Sequence, residues 1–222
     1  VTATPITYVD ARHTCPDFPI GPQLDLRGGV VIGKDGKPDR WANRWPRQAP
    51  PVAICFHIFG AMVGASARQI ERCGSRSEAR LWRFTQQRHP RTYHWLVDHQ
   101  ERRIVRKLPA DVHSYHGNGS NRFALGHCYE AATPDGPFDW DLAIEGIVRA
   151  VEAERADGSP IEYGYAHAQF SAMRARDPGE LYWRRAVMPA AEITGLVLDV
   201  ESKAGTGAKI PAAWRQPWGG AA

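Results

Sequence analysis

Three of the nine histidines stand where an apolar run gives way to polar or glycine-rich sequence, and an imidazole at such a place can do chemistry. His57 lies near the end of VAICFHIFG, a nearly continuous apolar run. Buried there without a partner it would cost about 1–3 kcal/mol, so it must be hydrogen-bonded or ligated. His116 lies in the polar stretch HSYHGNGSN, and His167 lies in YGYAHAQF, beyond a strand-like run that starts at Ile161. Further on, Asp177 precedes Pro178 and Gly179, a turn sequence that fixes the backbone and aims the carboxylate. Two imidazoles and one carboxylate (His57, His167, Asp177) form a sound ligand set for a catalytic zinc ion with a fourth position left for water. The metal would bring the pKa of that water to about 7. No HExxH helix ties the three together, however, and on spacing alone a turn aspartate beside an unrelated loop histidine is the preferred reading. The remaining histidines need no chemical role. His13, His89 and His99 read as surface groups, and His94 and His127 as satisfied structural histidines within strands.

The elements that must hold these side chains follow from patterning. Residues 1–50 are rich in Pro, Gly and Trp and read as an extension packed on the main domain. Within them GGVVIGKDGKPDRW suggests a short strand with a KDGK turn, and RWPRQAPP suggests a rigid extended connector. VAICFHIFG has the continuous apolar character of a central strand buried on both faces. Ser75 and Glu78 can form a capping box for a helix over SEARLWRFTQQR. YHWLVD and RIVRKLP read as strands of a hairpin joined through HQER. FALGHCYEAA reads as another strand, with Gly126, Cys128 and Glu130 on one face by the period of two.

DWDLAIEGIVRAVEAERADG is the clearest helix. Asp139 or Asp141 can cap it, Leu142, Ile144, Ile147, Val148 and Val151 make its apolar stripe, and Gly158 ends it. EITGLVLDVE looks like a last strand pairing with the N-terminal one, and GTGAKIPAAWRQPWGG reads as loop. The whole is an α/β fold with a mixed central sheet flanked by helices. Its expected divisions are an extension over 1–50, a catalytic domain over 51–185, and a C-terminal strand and tail over 186–222.

Composition narrows the function classes. The chain has 222 residues with a net charge of +4, spread in singles and pairs without a like-charged block, which makes a weak nucleic-acid signal. No stretch approaches the roughly 18–20 apolar residues that span a bilayer, and VTATPITYVD lacks the basic start and apolar run of a signal peptide. The four cysteines contain no CxxC pair. Cys55 and Cys128, in apolar runs, read as buried free thiols, and Cys15 with Cys73 is the pair to test for a disulfide.

The ordered segments resemble the type 2 N-acetylmuramoyl-L-alanine amidases, relatives of phage amidase lysozymes and peptidoglycan recognition proteins. The resemblance rests on ICFHIFGA, TYHWLVD with its partner RRIVRKLP, SYHGNGSN, ALGHCYE and AHAQFSAMRARDPGELYW, in that order over about residues 52–184. It implies an amidase acting between N-acetylmuramic acid and L-alanine of the stem peptide, with zinc held by His57, His167 and Asp177. It also implies that Tyr93 helps polarise the scissile carbonyl or position the water, and that His116 and Asn121 border the substrate groove.

Two positions depart from the family pattern. Cys128 stands where many members carry Glu, and Glu130 on the same strand face is the candidate to move the proton. Ala175 stands where a lysine is expected, and the flanking Arg174 and Arg176 are candidates to bind substrate or stabilise the oxyanion. The implied partners are peptidoglycan or muropeptides and not nucleic acid, for a monomer acting on the cell wall as a secreted, periplasmic or phage-released protein. A non-catalytic peptidoglycan-binding module of the same fold is the alternative. A metal-dependent nuclease lacks the acidic cluster or His-Asn-His element it would need.

Overall fold

The computed structural model describes residues 5–10, 47, 49–59, 93–111, 113, 114, 116–131 and 135–218. Among the described residues the sheet has seven strands, numbered in chain order: β1 (Thr7–Asp10), β2 (Ala53–Phe59), β3 (Trp95–Asp98), β4 (Arg103–Arg106), β5 (Ala124–Glu130), β6 (Tyr163–Ala166) and β7 (Val197–Leu198). They lie side by side in the order β1-β4-β3-β5-β2-β6-β7. The hairpin β3–β4 is antiparallel and every other pairing is parallel, so the sheet is mixed. β2 sits between β5 and β6. Ala53 to His57 are all buried, as a strand covered on both faces requires.

Alternation along the strands gives the sheet two different faces. Ile54, Phe56, Trp95, Val97, Leu125 and Tyr129 belong to the main core, together with Leu142, Ile147 and Val151 of helix α1 (Trp140–Ala156). The other face carries Cys55 and His57 of β2, with Cys128 packed among Leu96, Val105 and Tyr93.

The side chain of Asp139 caps α1 by accepting from the Leu142 amide at 3.1 Å. The helix buries Leu142, Ala143, Gly146, Ile147, Ala150, Val151 and Glu154, while Ile144 and Val148 of the expected stripe are only half-buried. The contact stripe is turned toward the small residues because α1 lies close to β3: a Cβ on Gly146 would stand 2.4 Å from Val97 Cγ2. At the far end of this stripe Glu154 Oε1 accepts from Trp95 Nε1 at 2.8 Å and from Arg106 Nη2 at 2.8 Å, closing a buried polar network.

The C-terminal expectation is corrected. EIT of EITGLVLDVE ends a helix, and β7 is only Val197–Leu198, paired with β6 rather than with an N-terminal strand. Gly195, at φ 67, makes the left-handed stop that separates the helix from β7. The helical segment runs from α2 (Glu180–Tyr182) through a π-helical stretch (Trp183–Val187) into α3 (Met188–Thr194). Pro189 lacks an amide hydrogen and its ring crowds the carbonyl four residues back, and the widened turn just before it accommodates both effects.

The N-terminal partner in the sheet is β1, an edge strand pairing with β4. Cys55 and Cys128 are buried thiols that form no disulfide among the described residues. The GGVVIGKDGKPDRW strand, the SEARLWRFTQQR helix and the Cys15–Cys73 pair lie outside the described residues. No helix among the described residues is long and apolar enough to cross a membrane.

Candidate metal centre

The register of two parallel strands places the first two side chains. Phe56 of β2 pairs with Ala166 of β6, so the next residues, His57 and His167, leave neighbouring strands at the same level. Their ring centroids are 4.5 Å apart. This is the carboxyl end of parallel strands, where open α/β sheets build their sites. After His167 the chain makes two short 3₁₀ turns (His167–Gln169 and Ala172–Arg174) and returns, and the Ala168 amide donates to the Asp177 carbonyl at 2.9 Å. That bond closes the loop and brings the Asp177 side chain beside His167.

The Asp177 carboxylate is fixed at both oxygens. Oδ1 accepts from the Ile58 amide at 2.8 Å, and Oδ2 lies 3.0 Å from His167 Nδ1 and 3.5 Å from His57 Nδ1. Burial alone would raise its pKa, but the two imidazoles outweigh burial and hold it far below the usual carboxylate range. Burial, and then the neighbouring His167, lower His57 to about 4 against the opposing pull of Asp177, so at neutral pH His57 is an uncharged donor.

The three side chains fit a zinc ion. Three atoms held about 2.0–2.2 Å from one centre in tetrahedral order stand about 3.3–3.6 Å apart, close to the observed Oδ2–Nδ1 separations. His57 Nδ1 is buried and, among the described residues, meets only Asp177 Oδ2 at 3.5 Å, a poorly satisfied state for an imidazole nitrogen unless a cation lies between them. His57, His167 and Asp177 are thus brought together as expected from the sequence.

His116 stands behind His57. Its Nδ1 lies 3.2 Å from His57 Nε2, and its Nε2 lies 3.0 Å from the Ala124 carbonyl. Gly126 leaves it room, since a Cβ there would meet His116 Cγ at 2.6 Å. Asn121 shapes the loop: its Oδ1 accepts from the amides of His116 at 3.0 Å and Gly117 at 2.6 Å. Burial, then the nearby His57 and His94, push His116 well below the usual histidine value. Cys55 Sγ also lies near His57 and His116, making a second buried donor group that shares His57. Burial raises the Cys55 thiol strongly, keeping it protonated and a weak competitor for a cation.

The other expected residues lie around this centre. The Tyr93 ring is 4.9 Å from that of His57, and burial, followed by Cys128 and Asp177, pushes its phenol well above 10. Glu130 is buried at the end of β5, where the register pairs it with Phe59, two residues beyond the His57–Cys128 pair. Arg174, Ala175 and Arg176 are exposed on the loop before Asp177, and Arg176 faces Asp135 at 3.3 Å. His94 has the structural surroundings expected of it, accepting from the Gly126 amide at 3.0 Å.

Sequence reasoning missed one participant. Arg47, in the connector before β2, donates to the Ala124 carbonyl at 2.8 Å and to the Asn121 carbonyl at 3.0 Å. An arginine among prolines gives no signal of that role, because its acceptors are main-chain atoms.

No protein-family model matches the chain, and no curated protein matches it in sequence. Among solved structures it is similar to the Ph2119 endolysin from a Thermus scotoductus bacteriophage, at 18% identity and TM-score 0.45 over 68% of this chain and 88% of that one. It is also similar to the N-acetylmuramoyl-L-alanine amidase LysC from Clostridium intestinale, at 14% identity and TM-score 0.43 over 67% and 87%. A second amidase from that organism, LysCS, matches at 15% identity and TM-score 0.40 over 67% and 86%. At these identities and TM-scores the likeness is a loose one of overall fold.

Proposed function

We propose that the protein is a zinc-dependent N-acetylmuramoyl-L-alanine amidase, cleaving the amide between the lactyl group of N-acetylmuramic acid and L-alanine of the stem peptide. The observation that carries this reading is the convergence of His57 Nδ1, His167 Nδ1 and Asp177 Oδ2 at the carboxyl ends of β2 and β6. Zinc held there would supply a hydroxide at neutral pH and a positive charge for the developing oxyanion. Asp177, held by the Ile58 amide, keeps its Oδ2 turned to the two imidazoles throughout. Tyr93 keeps its proton and so can donate a hydrogen bond to the scissile carbonyl. Glu130, about 7 Å along the strand from the Cys128 level, is the group to carry the proton toward the leaving amine. Arg174 and Arg176, exposed at the loop, offer cations to stem-peptide carboxylates.

The test has two parts. Elemental analysis of the purified protein is expected to give one zinc per chain, and little in His57→Ala. Incubation with muropeptides is expected to release free stem peptide from the parent only. Intact muropeptide at full zinc occupancy would replace the enzyme with a peptidoglycan-binding module, a reading that Ala175 and Cys128 favour because they stand where the resembled family carries Lys and Glu. No metal in either protein would overturn the site itself.

A further inference from the structure

We infer that His116 is a positioning residue that fixes the tautomer of His57, so that His57 turns a bare Nδ1 toward Asp177 and His167. The inference rests on the metal site proposed above and concerns how that site is held ready.

The chain of hydrogen bonds starts at a main-chain carbonyl. The Ala124 oxygen can only accept, and it faces both Arg47 Nη2 at 2.8 Å and His116 Nε2 at 3.0 Å. A bare Nε2 would set two lone pairs against each other, so Nε2 of His116 carries the hydrogen. A neutral imidazole has one N–H, which leaves His116 Nδ1 as an acceptor. His57 Nε2 lies 3.2 Å from that Nδ1 and must be the donor. Its proton is thereby committed, and His57 Nδ1 is left as a lone pair.

The opposite arrangement has only one contact in its favour. A proton on His57 Nδ1 would face Asp177 Oδ2, but at 3.5 Å that contact is longer than the 3.2 Å between His57 Nε2 and His116 Nδ1. It would also leave the His57 and His116 nitrogens bare toward each other, or force His116 to turn a bare Nε2 to the Ala124 carbonyl. The geometry thus favours the chain Ala124 carbonyl, His116, His57, and then the metal position. Other residues keep His116 in place: Asn121 through the His116 amide, and Gly126 by leaving space for the ring. Outer-shell partners of ligating histidines set ring orientation and tautomer, and losing one costs about 10–100-fold in metal affinity.

Two measurements test this, one of them independent of activity. In metal-free protein labelled with ¹⁵N-histidine, long-range ¹H–¹⁵N correlation spectra are expected to show His57 protonated on Nε2 and bare on Nδ1, with His116 also protonated on Nε2. A proton on His57 Nδ1 would overturn the inference. Zinc affinity by chelator competition is then compared for the parent, His116→Asn and His116→Leu. Asn Oδ1 can take the place of the accepting Nδ1, so His116→Asn should retain most of the affinity while His116→Leu loses about 10–100-fold. Equal affinity in His116→Leu and the parent would also overturn it. If the leucine variant does not fold, the spectra of the parent decide alone. If the parent binds no zinc, the amidase reading falls, and the His57 tautomer still judges the role of His116.

Discussion

Asp177 divides its work between its two oxygens, and a single substitution can separate them. Oδ1 holds the main chain through the Ile58 amide, and Oδ2 faces the two imidazoles. Asp177→Asn keeps an oxygen for Ile58 but removes the charge and one acceptor. Zinc titration of this variant should show a loss beyond the about 10–100-fold that outer-shell changes cost, with an unchanged circular dichroism spectrum. Parental affinity in Asp177→Asn would remove the carboxylate from the ligand set. At this scale residue types and spacing alone favoured a turn aspartate beside an unrelated histidine, and only the resemblance of the ordered segments set His57, His167 and Asp177 together. The sequence did not show Arg47 or the Ala124 carbonyl, since a backbone acceptor has no letter of its own and Arg47 meets it only after folding.

Among elements, the decisive fact is the parallel pairing of β2 with β6, which sets His57 beside His167 across a long stretch of chain. Local patterns revealed the hairpin, the β5 strand and an aspartate cap of α1 at Asp139 or Asp141, because each depends on neighbours in sequence. The pairings of β1 with β4 and β7 with β6 were not legible, because nothing in a short strand names its distant partner. The stripe of α1 was read too far toward its large residues for a related reason: Gly146 carries no hydrophobic signal, yet it is where the helix meets Val97. Gly146→Ala tests that contact. Alanine favours an isolated helix by about 1 kcal/mol over glycine. The added methyl would lie 2.4 Å from Val97 Cγ2, and overpacking of this kind costs about 1–3 kcal/mol. A lower denaturation midpoint at unchanged slope is expected. A stabilised variant would mean that α1 rides higher on the sheet.

For the molecule as a whole, buried histidines make the metal-free fold sensitive to acid. Burial lowers His127, between the sheet and α1, to about 4, and burial with His167 beside it lowers His57 to about 4, each from 6.5. The unfolded chain therefore takes up protons at these groups below about pH 6.5 while the folded chain resists until about pH 4. Stability from them is present above pH 6.5 and is lost as pH falls through that window, by at most about 3 kcal/mol for each group. Asp177 adds nothing there, because its folded pKa is depressed and its contribution is lost only at lower pH. Glu154 acts in the opposite sense: burial raises its pKa despite Arg106, so acid relieves its cost as pH falls through its raised folded value. Two histidines act against this one carboxyl across the range. The melting temperature of metal-free protein should accordingly fall steadily from pH 7 to pH 4.5, and the fall should be shallower in His127→Leu. Zinc should hold the parent's melting temperature up, and lose that effect as acid protonates its ligands. A melting temperature that stays flat across this window would show that these imidazoles are not held uncharged by burial.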